Sequence, residues 1–427
     1  MRILSQGLPA PRAAKLPAQL AQSGYLRTLG GADVYLAARA RCPKMRRGDL
    51  EALVVEHQLR VSPAVRGCIY LVPHEDAALC LSIAREQSRA RDERDAEKSG
   101  IKKGELADVG DAIVAVLREQ GPQTTDGLRR VLPKGVVRSL GDRGKKVGVS
   151  STLPPALRQM EFAGRIERTP VDGHLDHEKY LWAVTDKDPF ADADLPDDTA
   201  QLHARLFSHF LERAGVSTLK AFSDWSGLTQ RDVKLALAHT PHEVVQAEGM
   251  GDEALAAPTL GARLRKLDQA EEPVALLPFE DNLAHLAGGI GALVHESAHD
   301  LQVPTWGNMK QKHAREPLGT AKHVMFRAIL AEGRVRGFWE YDPDAKCVVT
   351  HLFDAPSKAA RAAVPEDGRM HQYRGTRGSR SVAQAWMPPW MLTTLVKPFC
   401  SRKFATCMLR APWWHRQAIG CARSSSG

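Results

Sequence analysis

From Glu105 to Gln120 the apolar residues Val109, Ile113, Val116 and Leu117 recur at the three-and-four spacing that lines one face of a helix. Gly121-Pro122 then stops it. TTDGLRRVL predicts a short second helix capped by Thr124 or Thr125, TLPPALRQMEFAGRI predicts a third, and IERTPVDGHLDHEKYLWAV predicts a hairpin. Helix, helix, helix, hairpin over 105–185 is the plan of a winged helix, whose third helix normally enters the major groove of DNA.

Residues 199–257 repeat the plan, with helices expected at Ala200–Ala214, Thr218–Ser226 and Thr229–His239 and a wing at HEVVQAEGM. Residues 1–84 read as helices followed by a hairpin and a further helix. Arg47–His57 is a short helix with Asp49 in its first turn, LRVSPAVRGCIYLVP supplies two strands, and His74-Glu75-Asp76 opens a helix reaching about Arg94. The stretch 85–104 is a charged helix or linker, read as a solvated face. Six aspartates and two prolines in DKDPFADADLPDD, 186–198, favour an extended acidic connection. Over 273–355 short apolar runs alternate with turns, Glu332-Gly333 and Asp342-Pro343 among them, which predicts a small antiparallel sheet or barrel. The expected class is α+β: tandem winged-helix domains followed by a β-rich, barrel-like domain.

One carboxylate breaks the pattern. In a helix from about Gly30 to Arg41, Asp33 shares a face with Leu29, Leu36, Ala37 and Ala40. A buried carboxylate is costly unless something pairs with it or a ligand pocket receives it. It fits equally well as a first-turn residue, where unpaired N–H groups favour a negative charge. The preceding Gly30-Gly31 lets a backbone or ligand come close, or simply makes a turn.

Composition narrows the class. The chain has 427 residues, 43% apolar and 26% charged, enough for two to four domains with real cores. No stretch approaches the ~18 apolar residues of a membrane span and the N-terminus lacks a signal-like apolar run, so a cytoplasmic protein is expected. Seven cysteines without a CxxC suggest reduced thiols. The net charge of +9 is unevenly placed: ten of the 59 Lys and Arg lie in 368–427, which has no Asp or Glu, leaving 49 basic against 50 acidic residues in the body. That basic tail, rich in Trp and Cys, reads as a diverged or out-of-frame C-terminus, or as a nucleic-acid-binding tail. Any DNA contact in the body must come from local patches. Arg138, Arg143, Lys145 and Lys146, with Arg158 and Arg165, form the candidate phosphate-binding patch, although a solvated loop accounts for each member singly.

His295-Glu296-Ser297-Ala298-His299 fits the H-E-x-x-H pattern of zinc hydrolases, in which two histidines one helical turn apart bind the metal. The segment must fit between Gly291 and Pro304, and no third ligand stands at a suitable spacing. The two histidines are expected in a loop, with no metal and no cofactor; a zinc hydrolase is the minor alternative.

The stretch Tyr25–Val72 resembles the N-terminal catalytic segment of the AlkZ/YcaQ-like winged-helix DNA glycosylases. Their motif of Gln, an apolar residue, then Gln or Asp falls on Gly31-Ala32-Asp33, and their Arg-Gly-Thr-apolar-His strand on Arg66-Gly67-Cys68-Ile69-Tyr70. Later blocks match at Leu276-Leu277-Pro278, Asp281-Asn282 and Gly337-Phe338-Trp339-Glu340. Gly31 replaces the first Gln and Tyr70 the His, while the carboxylate stays. The resemblance implies a monomeric, monofunctional glycosylase that hydrolyses the N-glycosidic bond of alkylated or crosslinked bases in double-stranded DNA. Asp33 would position or deprotonate the water, Tyr70 would hydrogen-bond the water or lesion, or else pack in the wing, and Arg66 would hold a phosphate. The alternative is a winged-helix transcriptional regulator or an inactive DNA-binding protein.

Overall fold

The computed structural model describes residues 24–28, 31–42, 44–177, 179–247, 250, 254–265, 274–305, 315–324, 326–331, 333–342 and 347–353. The expectations for Leu29, Gly30, Glu332, Pro343 and the tail 368–427 lie outside the described residues.

Chain order gives β1 (Leu26–Arg27), α1 (Asp33–Arg41), α2 (Arg47–Val55), β2 (Leu59–Pro63), β3 (Ile69–Pro73) and the long α3 (Ala77–Ser99). Next come α4 (Glu105–Gln120), α5 (Thr125–Val131), α6 (Gly141–Lys146), α7 (Leu153–Phe162), β4 (Ile166–Pro170) and β5 (Tyr180–Val184). Helices α8 (Thr199–Ala214), α9 (Leu219–Ser226) and α10 (Gln230–Ala238) accompany β6 (Val216–Ser217), β7 (Glu243–Val245) and β8 (Ala254–Ala256). The last part holds α11 (Leu260–Arg265), β9 (Ala275–Leu276), α12 (Asn282–Leu286), β10 (Gln302–Pro304), β11 (Arg315–Pro317), β12 (Arg327–Ala331), β13 (Arg334–Asp342) and β14 (Cys347–Leu352).

Local chemistry explains many of these limits. The side chains of Thr124, Thr218 and Thr229 accept the N–H groups of Gly127, Ala221 and Asp232, capping α5, α9 and α10. Gly31 has φ +67° and its N–H donates to the Asp176 carbonyl at 2.8 Å, so the chain turns there and α1 begins at Asp33 rather than Gly30. Gly100, at φ +72°, ends α3, about 34 Å long at 1.5 Å per residue.

The sheets join what the sequence separates. β1, β3, β2, β4 and β5 form one antiparallel sheet, because Val61 of the first hairpin pairs with Arg168 of the second. A three-stranded sheet runs β6-β8-β7. The C-terminal strands make an open four-stranded sheet, β14-β13-β12-β9, with a separate β10-β11 pair. The expected barrel is thus an open sheet among the described residues; closure would need β9 and β14 to meet, and each pairs on one side only.

Helix α1 lies between two of these layers. Its apolar residues share a core with Val61 and Leu71 of the first sheet and with Ile329, Trp339 and Val348 of the last. Only Arg39 escapes full burial, so the helix has no polar face and the face argument for Asp33 gives way to burial all round. α3 exposes Arg85, Arg89, Arg91 and Arg94, as a solvated face does. Its opening turns, Ala77–Ala84, are buried, and Leu81 and Ala84 pack on Phe162 of α7, which also meets α4. Of the α7 side chains only Gln159 is fully exposed. Pro154, Pro155 and Arg158 are part-exposed beside it, so α7, the helix expected to enter a groove, presents only a narrow outward strip.

Candidate functional site

Asp33 stands at the first position of α1 and is 3% exposed. Both of its oxygens are taken by one guanidinium, Arg327 Nε to Oδ1 at 3.0 Å and Nη2 to Oδ2 at 3.2 Å. Arg327 Nη1 donates to Glu340 Oε2 at 2.5 Å. Strands β12 and β13 set this trio, since Arg327 lies opposite Trp339, the neighbour of Glu340. Burial works against the Arg327 charge, but Asp33 and Glu340 outweigh it and hold the guanidinium firmly protonated. Burial pushes the Glu340 carboxyl up, with Asp33 adding and Arg327 opposing. Two carboxyl groups share one cation, and burial together with Asp33 opposes a second negative charge on Glu340. Each Asp33 oxygen keeps a second lone pair for a water or a substrate.

Tyr70 is paired across the sheet with Arg27 and is 1% exposed, its ring edge-on to Tyr25 at 6.2 Å between centroids. Burial holds its phenol above the ordinary range. The Arg66 guanidinium lies beside the Tyr70 hydroxyl and opposes that rise, so the structure brings these two residues together. Arg66 has φ +59°, its N–H donates to Gln87 Oε1 at 2.8 Å, and its side chain presses on Gly227. It is a half-buried packing residue rather than an outward cation. The departure at Gly31 also has a local reason, since any side chain there would have to adopt a left-handed backbone.

The basic patch is largely paired. Arg138 forks onto Glu105 at 2.7 and 2.8 Å, Arg158 meets Asp92 at 2.7 Å, Arg165 meets Asp111 at 2.7 Å and Lys145 meets Asp142 at 3.0 Å. Arg143 and Lys146 are exposed, with no carboxylate partner among the described residues. By contrast α10 is half out of the protein, exposing Gln230, Arg231, Lys234, Leu235 and Ala238. Its Thr229 cap and apolar positions Val233 and Ala236 were visible signals for such a helix; its freedom was not.

His295 and His299 flank a single 3-10 turn, Glu296–Ala298, and His295 Nδ1 accepts the Ser297 N–H. The H-E-x-x-H helix does not form. A different cluster was missed by sequence reasoning: one ligand atom each from Glu280, His285 and His323 lie within 4.8 Å of one another. The carboxylate of Glu280 accepts Arg27 Nη1 at 2.7 Å and lies 2.8 Å from His285 Nε2 and 3.2 Å from His323 Nδ1. Burial opposes the Glu280 charge, but the two imidazoles hold it well below the usual carboxylate range, and burial pushes His285 down.

The family described as AlkZ-like, DNA glycosylase AlkZ-like, matches residues 14–371. The chain belongs to that family. AlkZ-like proteins provide a structural counterpart in the DNA glycosylase AlkZ of Streptomyces sahachiroi, with a TM-score of 0.60 at 17% identity over 86% of this chain and 92% of that one. At that identity the likeness is one of fold. No curated protein sequence matches this AlkZ-like chain. Its described helices include none long and apolar enough to cross a membrane.

Proposed function

We propose that this AlkZ-like protein is a monofunctional DNA glycosylase acting on alkylated or crosslinked bases in duplex DNA, with its helix-helix-hairpin units serving as tandem winged helices. The observation that carries the proposal is the buried Asp33 carboxylate at the start of α1, held by Arg327, which also meets Glu340. Cleavage of an N-glycosidic bond builds positive charge on the sugar, and a fixed carboxylate in a low-dielectric site stabilises that charge more than it does the neutral ground state. Because both Asp33 oxygens already accept from Arg327, the carboxylate acts chiefly as an electrostatic and water-positioning group. The base must leave the stack to reach it, at a cost of a few kcal/mol that is smallest for a damaged base.

DNA is held, in this reading, by exposed cations without a carboxylate partner among the described residues rather than by α7, whose Arg158 is paired with Asp92. Arg143 and Lys146 on α6, and Arg231 and Lys234 on α10, contact phosphates. Incubating the protein with a duplex carrying N7-alkylated guanine and revealing abasic sites with alkali tests the activity. Excision that falls about one hundred-fold in Asp33→Asn with binding retained supports it. A second reading, a DNA-binding protein without chemistry, is favoured by the full pairing of Asp33. Wild-type protein that binds duplex but excises nothing selects that reading.

A further inference from the structure

Outside the Asp33 trio, the cluster of Glu280, His285 and His323 has the donor set and spacing of a metal site. We propose that it binds a divalent transition metal, Zn²⁺ by its two-nitrogen, one-oxygen composition. Zinc takes imidazole and carboxylate ligands at about 2.0–2.2 Å, which places the ligand atoms of a tetrahedron about 3.3 Å apart. Here His285 Nε2 and His323 Nδ1 lie 2.8 and 3.2 Å from Glu280 Oε2, and one ligand atom from each of the three residues falls within 4.8 Å of the others, so side-chain adjustment on the ångström scale closes the site. The side chains of Glu280 and His285 are 6% and 8% exposed, while that of His323 is 41% exposed, which leaves the fourth position open toward solvent.

The backbone supports the arrangement. Glu280 has φ +55°, a left-handed conformation that is strained for a residue with a Cβ and that collects at ligand sites. The next residue, Asp281, is clamped by Arg41 through two 2.9 Å contacts and caps α12, which carries His285. Two ligands are therefore set by one rigid turn before any metal arrives.

Arg27 is the feature that argues against a cation, and its geometry limits the objection. Its Nη1 donates to Glu280 Oε2 at 2.7 Å, and metal-ligating carboxylates are commonly held by a second donor on the oxygen that the metal leaves free. Oε1, 3.3 Å from His323 Nδ1, remains to bind, and the His285 ring, now 2.8 Å from Oε2, has to turn toward it. Each imidazole needs only to carry its proton on the nitrogen away from Glu280. Arg27, and Arg66 farther off, favour an anionic oxygen as the fourth ligand.

The full chain, freed of metal with chelator, is titrated with Zn²⁺ by calorimetry and with Co²⁺ by visible absorption. The expected result is one equivalent bound, with the intense visible bands of four-coordinate Co²⁺, both lost in His323→Ala and kept in His299→Ala. Circular dichroism matching wild type shows that His323→Ala is folded; Glu280→Gln, which keeps the shape, serves as second variant and should weaken binding at least ten-fold. A wild-type protein that takes up neither metal, or binding that survives in both variants, would mean a hydrogen-bonded cluster only and overturns the site.

Discussion

Arg327 reaches across 294 positions of sequence to grip both oxygens of Asp33 while its third nitrogen holds Glu340. The pairing resolves how a carboxylate survives on a helix that is buried between two sheets. Desolvating an isolated carboxylate costs several kcal/mol, and the forked guanidinium offsets it.

Removing that guanidinium should be severe. Arg327→Met leaves the Asp33 carboxylate buried without its counter-charge, so we expect a loss of about 3–5 kcal/mol in urea unfolding. Adding Asp33→Asn to Arg327→Met should recover part of the loss. Equal effects in single and double variants would show that the two residues do not interact.

Glycines make a sharper test of packing. At Gly144, inside α6, a Cβ would lie 2.1 Å from the Val149 carbonyl oxygen, a backbone atom with no room to yield. Gly144→Ala should cost about 1–3 kcal/mol. At Gly48 in α2 a Cβ meets nothing within 4 Å, so Gly48→Ala should gain about 0.5–1 kcal/mol from helix propensity. Thermal melts of the two variants moving in the same direction would contradict the geometry.

Binding to undamaged duplex should weaken with salt by about 0.9 log units in affinity per phosphate contact for each log unit of salt. Reversing Arg143 and Lys146, or Arg231 and Lys234, should reduce that slope by close to two contacts for each pair. Reversing Arg158, already engaged with Asp92 at 2.7 Å, should leave the slope nearly unchanged. A slope that responds to Arg158 and ignores the α10 pair would move the interface back to α7.

Acid should expose His209. Burial, aided by Arg213 and opposed by Asp76, holds its pKa down to about 4, so the folded state keeps it neutral while the unfolded chain takes up a proton near 6.5. Between those values the unfolded state binds more protons, and stability falls as pH falls from about 6.5 to about 4. The urea midpoint followed over that window should drop, and His209→Gln should flatten the drop. His74, also held down to about 4 chiefly by burial, contributes in the same direction.

Helices α4, α5, α8, α9 and α10 could be read from the chain because their causes are local. Apolar residues three and four apart, a threonine cap and a stopping glycine all act within a few turns of backbone. The family motif likewise carried Asp33 to a helix start without any knowledge of its surroundings. What lay beyond reach was every partner brought from afar. Nothing near Arg327 marks it as the mate of Asp33, the spacing of Glu280 and His285 does not foretell His323, and the basic patch looked free because Glu105, Asp92 and Asp111 come from other helices. The same limit hid the packing of α7 on α3 and the merging of two hairpins through Val61 and Arg168. Dihedral preference and periodicity act along the chain. Burial and ion pairing are set by which surfaces meet, and only the tertiary structure decides that.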